Sequence, residues 1–357
     1  MNPADKYNSM SDKITQITPP DPIPQYKLWM DMLNITACLS VVLLHCNHDV
    51  KCQDHASLYL LYGIAVYTLF YWPVPIFLML SFCNNVNYKN GVKAFYKRRF
   101  SRVVIPYLIW SLLYSFFCIF YLKQDFTFTE YAFNFMNGQF NGNMWFFIPL
   151  FALYLSIPFL RVLINHCSCK SLLYFVIFGF TCNSLLPWVC KNIGMESPNL
   201  FPLGGSFIMV CIAGYLILIN ELSKKQRYLI YAIGVLTALL HYVLIYYHTV
   251  SDAKFYMEGL DYYAPYSVVV PIAVFLWFKN INWYSVLNVL KVKVSFIRKL
   301  SSYSFGVYLL HWGVKEVCYD IGIPCKNYFF GFILTYIICI LIMKALKFVP
   351  GSKYIFP

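Results

Sequence analysis

Ten long apolar stretches separated by short polar or charged segments run through the chain. They cover about 28–47, 57–83, 101–122, 145–165, 171–190, 204–220, 228–247, 263–278, 300–318 and 327–348. An α-helix needs about 20 mostly apolar residues to cross a bilayer, and most of these stretches approach that length. The apolar runs are continuous rather than alternating, which excludes a β-barrel. Lipid cannot satisfy free backbone N–H and C=O groups, so each run is predicted to be a helix. The pattern therefore predicts an all-α polytopic membrane protein with about ten transmembrane helices. No internal repeat or long linker divides it, so residues 27–349 read as one membrane domain. Residues 1–26 are polar and Pro-rich and lack a signal-peptide stretch, which predicts a cytoplasmic N-terminal tail. Residues 350–357 read as a short cytoplasmic C-terminal tail. Residues 279–299 are amphipathic and are predicted to lie along the membrane surface.

Composition supports the same solvent. Of 357 residues, 60% are hydrophobic, 20% aromatic and only 12% charged. A soluble domain carries about twice that share of charge, so a soluble enzyme is excluded, as are coiled-coil, fibrous and disordered chains. The net charge of +13 would suggest nucleic acid in a soluble protein. Here the charges sit in clusters between apolar runs, and no nucleic-acid partner is expected. With the N-terminus inside, 22 of the 28 Lys and Arg fall in inner segments and 6 in outer ones. That asymmetry follows the positive-inside rule and predicts an even number of spans with both termini cytoplasmic. The 13 cysteines are scattered. Cys38, Cys118, Cys211 and Cys339 lie inside apolar runs, while Cys52, Cys190 and Cys325 are placed where outer cysteines could pair.

Polar residues inside apolar runs carry the candidate chemistry, because ionisable groups at membrane depth face protein or a water-filled cavity. In the first run, Asp31, Asn34, Cys38 and His45 interrupt the apolar pattern. Asn34 and His45 differ by only about 20° around a helix and share a face, roughly 16 Å apart. His45 is either a general base or a packing residue at the outer interface. Arg99 and Arg102 stand one turn apart at the inner end of the third run, either as bidentate phosphate ligands or as positive-inside anchors. Pro106 is predicted to kink the helix just beyond them. Trp145, Phe146 and Phe147 open the fourth run as a cavity lining or an interfacial aromatic belt. Ser301, Ser304, Tyr308 and His311 form a second polar face, with Ser304 and Gly306 permitting close helix packing. His48, Cys52 and His55 have a spacing that zinc ligands could share, but no fourth ligand stands out and no metal is assigned. Asp261, Tyr262 and Tyr263 open the eighth run. No Gly-rich phosphate loop, GxSxG elbow or HExxH is present, so any enzyme must work inside the bundle.

Four segments in order resemble membrane acyltransferase family 3, the integral-membrane O-acyltransferases. They are WMDMLNITACLSVVLLHCN, VPIFLMLS with FYKRRFSRVVIPYLIW, MWFFIPLFALYLSIPFL, and SSYSFGVYLLHW. The resemblance implies that His45 is the catalytic base and that Arg99 and Arg102 serve the acyl-CoA donor. The family usually has Arg or Lys eleven residues before the histidine, where this chain has Asn34, and Gly is common where it has Phe82. Asn34 keeps a donor-binding assignment, and Asp31, Trp145, Tyr308 and His311 are assigned to the cavity lining.

The resemblance implies transfer of an acyl group, acetyl above all, from acyl-CoA to a glycan hydroxyl. The acceptor would be a cell-surface or exported polysaccharide or its lipid-linked precursor. Acetyl-CoA enters as a substrate, and no permanently bound cofactor is expected. The expected location is the plasma or inner membrane, with a homo-oligomer left open. A glycan or small-molecule transporter and a non-catalytic family member are the alternatives.

Overall fold

The computed structural model describes residues 27–47, 58–196, 206–251, 255–256, 259–325, 330–346 and 348–356. Among them all regular secondary structure is helical. The first half comprises α1 (Leu28–Cys46), α2 (Leu58–Asn85), α3 (Gly91–Tyr121), α4 (Phe128–Asn137), α5 (Met144–His166) and α6 (Cys169–Asn192). The second half comprises α7 (Ser206–Ile219), α8 (Lys224–Ser251), α9 (Tyr266–Asn280) and α10 (Trp283–Val289). It ends with α11 (Val294–Asp320), α12 (Gly331–Leu346) and α13 (Ser352–Ile355). Each of the ten apolar runs falls on a helix. By length and composition α1, α2, α3, α5, α6 and α8 can each cross a bilayer, and α7, α9 and α12 are shorter apolar helices. The chain is a multi-pass membrane protein.

The outer faces show what solvates them. On α8, Leu229, Ile233, Leu236, Leu240, Val243 and Tyr247 are all exposed. Their spacing makes one apolar stripe pointing away from the bundle, the inverse of a soluble amphipathic helix. The inward face carries Gly234, Ala238, His241 and Ile245. A Cβ at Gly234 would lie 2.5 Å from that of Ala273 on α9. Small residues thus bring the two helices together where lipid offers no hydrophobic drive.

α1 is central, packing on α2, α9, α11 and α12. α1 and α11 run parallel, with Asn34 against Ser301 and Cys38 against Ser304. Phe82, where the family tends to have Gly, is fully buried and meets Tyr215 of α7 edge-on.

Several expectations change. The second run is broken at Phe70–Trp72, between Leu58–Leu69 and Pro73–Asn85. Pro73 and Pro75 lack the N–H groups that would carry the helix through this point. The ring of Pro106 follows a π-turn at Phe100–Val104, closed by Ile105 N–H to Phe100 O. α6 repeats the device at Thr181–Leu185, two residues before Pro187. The amphipathic stretch 279–299 is not one surface segment: 283–289 forms the short α10, and 294–299 are the first turns of α11. The C-terminal residues fold back as α13, where Ile355 O accepts from Trp110 Nε1 at 3.2 Å. Cys190 and Cys325 are buried free thiols, while Cys52, His48 and His55 lie outside the described residues.

The segment before α5, to which the sequence pattern assigns no element, contains α4. A capping box starts it, with Thr127 and Glu130 exchanging side-chain and backbone hydrogen bonds. The bonds from the Thr127 side chain and backbone hold the Glu130 carboxyl below its usual range. Gly138 ends it in the left-handed region at φ +64°, and a Cβ there would lie 2.8 Å from Met144 C and O. Gly142 has φ +63° with open space around it. An L-residue in this region costs about 1–2 kcal/mol. Gly142→Ala is therefore expected to lower stability by ~1 kcal/mol. Gly138→Ala adds backbone overlap and is expected to cost about 3 kcal/mol or more. Thermal unfolding of the detergent-solubilised variants checks the order.

Candidate active site

A cavity of about 400 Å3 opens at the C-terminal end of α1. Its walls are α1, the break in α2, the loop Asn141–Asn143, the segment before α9, and α11. Irregular backbone at membrane depth is tolerated where it lines such a space, which accounts for the break at Phe70–Trp72. Trp72 Nε1 donates to Leu69 O at 2.8 Å and ties the break. Tyr71 stacks on Tyr262 at 4.4 Å, and Trp145 leans against Tyr262 at 5.1 Å. His45, Trp145 and Tyr308 line the cavity with Asn143 and Lys315.

His311 sits just behind this lining, with its ring centroid 5.2 Å from that of His45. Two histidines 266 positions apart are thus brought together by the parallel α1–α11 packing. His311 Nδ1 faces Tyr308 O at 2.7 Å and Val307 O at 3.2 Å. Carbonyl oxygens only accept, so Nδ1 carries the proton. Nε2 then accepts from Asn143 Nδ2 at 3.3 Å. Both nitrogens of a fully buried ring are engaged, and the neutral form satisfies each. Tyr308 donates its hydroxyl to Asn143 O. Asn141 Oδ1 accepts from Asn143 N at 2.9 Å and Met144 N at 3.0 Å, which starts the helix that carries Trp145. The loop is therefore held by α11 on one side and by its own Asn on the other.

Lys315 stands one turn beyond His311 and is buried. Its ammonium donates to His45 O at 3.2 Å and pairs with Glu316 at 3.0 Å. A cation at the carbonyl end of α1 is favoured by the helix dipole, and the Glu316 partner makes its burial tolerable.

The other sequence candidates lie elsewhere. Asn34 Nδ2 donates to Ser301 Oγ at 3.0 Å and Ser301 O at 3.2 Å, so its side chain fastens α1 to α11. Asp31 is in the first turn of α1, a position the helix dipole favours, and its Oδ2 is buried without a partner. Neither lines the His45 cavity. Arg99 is half-buried with its guanidinium 5.4 Å from the Tyr154 ring centre, and its Nε is buried without a hydrogen bond. Arg102 is exposed. Arg98 is near enough to feel the charge of Arg102 and of Arg99. The arginines thus form a positive cluster around the π-turn, away from the His45 cavity. Among the described residues no three His, Cys, Asp or Glu side chains gather as a metal set.

A family model described as an acyltransferase domain matches residues 27–344. The chain belongs to membrane acyltransferase family 3. No curated protein and no solved structure matches it. This acyltransferase is a helical bundle with a cavity at the C-terminal end of α1.

Sequence reasoning missed Asn143, Tyr71 and Lys315. Lys315 follows His311 by four residues, a spacing that puts both on one face. Asn143 had no comparable signal, because its partners are 165 and 168 positions away. Asn143→Ala leaves His311 Nε2 buried and unpaired and is expected to cost about 1–3 kcal/mol. Chemical unfolding in detergent measures this, and Asn143→Gln is expected to recover little because the loop fixes the amide position.

Proposed function

We propose that this acyltransferase moves an acyl group, acetyl first among candidates, from acyl-CoA to a hydroxyl of a surface or exported glycan or its lipid-linked precursor. The observation that carries the proposal is the cavity holding His45, Trp145 and Tyr308 at one end of α1, with the arginines set apart from it around the π-turn of α3. On the ten crossings read from the sequence, both termini would lie in the cytoplasm of a plasma or inner-membrane protein. That topology puts the arginines at the cytoplasmic face and His45 toward the outer one. The parallel run of α1 and α11 agrees with it, since the first and ninth of ten alternating spans point the same way.

Phosphates of the donor bind the arginine cluster, where the unpartnered Arg99 Nε supplies a charge-assisted donor. The thioester reaches into the bundle. His45 takes the proton of the acceptor hydroxyl, and the oxygen attacks the thioester carbonyl. The tetrahedral intermediate collapses with cleavage of the C–S bond, and the departing thiolate takes the proton back from His45. His311, with its lone pair committed to Asn143, positions the loop and packs beside the base. Eight aromatic side chains line the cavity, matching the apolar faces of a sugar ring while its hydroxyls meet the few polar groups.

Membranes with wild-type protein or His45→Ala at equal expression, given labelled acetyl-CoA and a glycan extract, test this directly. Label is expected in alkali-labile ester with wild type, and a loss of about 10²–10⁴-fold with His45→Ala. Wild-type rates in a folded His45→Ala protein would overturn the assignment. Arg99→Ala is expected to raise KM for acyl-CoA about tenfold, with a smaller change in kcat.

A further inference from the structure

Resting on the function just proposed, we infer that the acceptor is lipid-linked and that its hydrocarbon chain lies in a groove between α5 and α7. This groove, about 450 Å3, is separate from the His45 cavity and meets it at Trp145, which lines both. α5 and α7 each pack on the Pro73–Asn85 half of α2. Leu78, fully buried, forms the floor between them.

The groove follows one face of α5 through Ile148, Ala152 and Ser156, and one face of α7 through Phe207 and Cys211. Both sets recur every four residues, as a continuous helical wall requires. From Trp145 to Ser156 the helix rises about 16 Å, roughly half of a 30 Å hydrocarbon core. The groove thus descends about one leaflet from the level of the cavity. Its lining is mostly apolar apart from Asn137, Gln139 and Ser156, so in a membrane-spanning bundle a fitting occupant is an alkyl or isoprenoid chain rather than a soluble glycan.

The junction is built for an amphiphile. A third space of about 320 Å3 joins there, sharing Trp145 and Tyr262 with the cavity and Phe207 and Tyr263 with the groove. Lys191 and Asp261 both line it, and Asp261 Oδ1 accepts from Tyr263 N at 2.8 Å. A chain in the groove, a phosphate at Lys191 and one sugar in the His45 cavity meet the apolar, cationic and aromatic surfaces in turn. The acceptor class is a prenyl or acyl phosphate carrying a sugar.

The test uses a photoreactive prenyl phosphate bearing one hexose, added to vesicles holding the full-length protein, with attachment sites mapped by mass spectrometry. Labelling is expected on the Ile148–Ser156 face of α5 and on Phe207 or Cys211. Ala152→Phe and Ser156→Phe fill the groove from partly exposed positions and are expected to cut labelling at least fivefold. Lys191→Gln is expected to cut it about threefold for this probe and not for the same hexose on an uncharged alkyl chain. Labelling spread over outer faces such as α8, or matched by photoreactive phosphatidylcholine, would mean bulk lipid and overturn the inference. Loss of ester formation in His45→Ala without groove labelling would leave the proposed function standing and the groove refuted. Groove labelling without transfer from any acyl-CoA would refute the function and leave the groove as a glycolipid site.

Discussion

The parallel seam between α1 and α11 is the constraint on which the rest depends. Asn34 bonds Ser301 in the first half of α1, Cys38 meets Ser304 O one turn on, and Lys315 reaches His45 O at the far end. These contacts keep nearly one register over about three turns. In a bilayer the alternative for each polar group is hydrocarbon, so a slip of the seam would strand several groups together. The seam fixes the His45 ring beside His311. Through Tyr308 and His311 it also fixes the Asn143 loop and hence the place of Trp145.

On the proposed function, the molecule separates two tasks. Positive charge gathers at the π-turn of α3, where a phosphate-bearing donor would dock. On the same proposal, proton transfer would take place in the His45 cavity, under an aromatic roof formed by Tyr71, Tyr262 and Trp145. The same Trp145 stands where the cavity, the lateral groove and the Lys191 junction converge. A glycolipid acceptor arriving from the bilayer and a donor arriving from the cytoplasm would then approach from different sides.

Helix positions were largely legible in the sequence because a membrane span is a long, one-solvent signal. Each apolar run became a helix, and Asn34, His45, Tyr308 and His311 interrupt that signal visibly. Features set by contacts between distant segments were not. The break in α2 was hidden by continuous apolarity although Pro73 and Pro75 marked it. The capping box in TFTE signalled α4, but its short length kept it from reading as a span. Lys315 was counted only as an outer charge, since nothing local shows that it turns inward to a helix end 270 positions away. Arg99 and Arg102 were read at the entry of the third run, but α3 begins at Gly91 and carries them inside the helix beside a π-turn, which sequence spacing cannot register.

Sidedness of transfer tests the central claim most directly, namely that donor and acceptor meet through the bundle from opposite ends of α1. Purified protein would be reconstituted in one orientation, with labelled acetyl-CoA confined to one face of the vesicle and a hexose acceptor to the other. Ester is predicted when acetyl-CoA is on the face bearing Arg99 and Arg102 and the acceptor is on the opposite face. Ester formed only when both substrates share the arginine face would contradict the account.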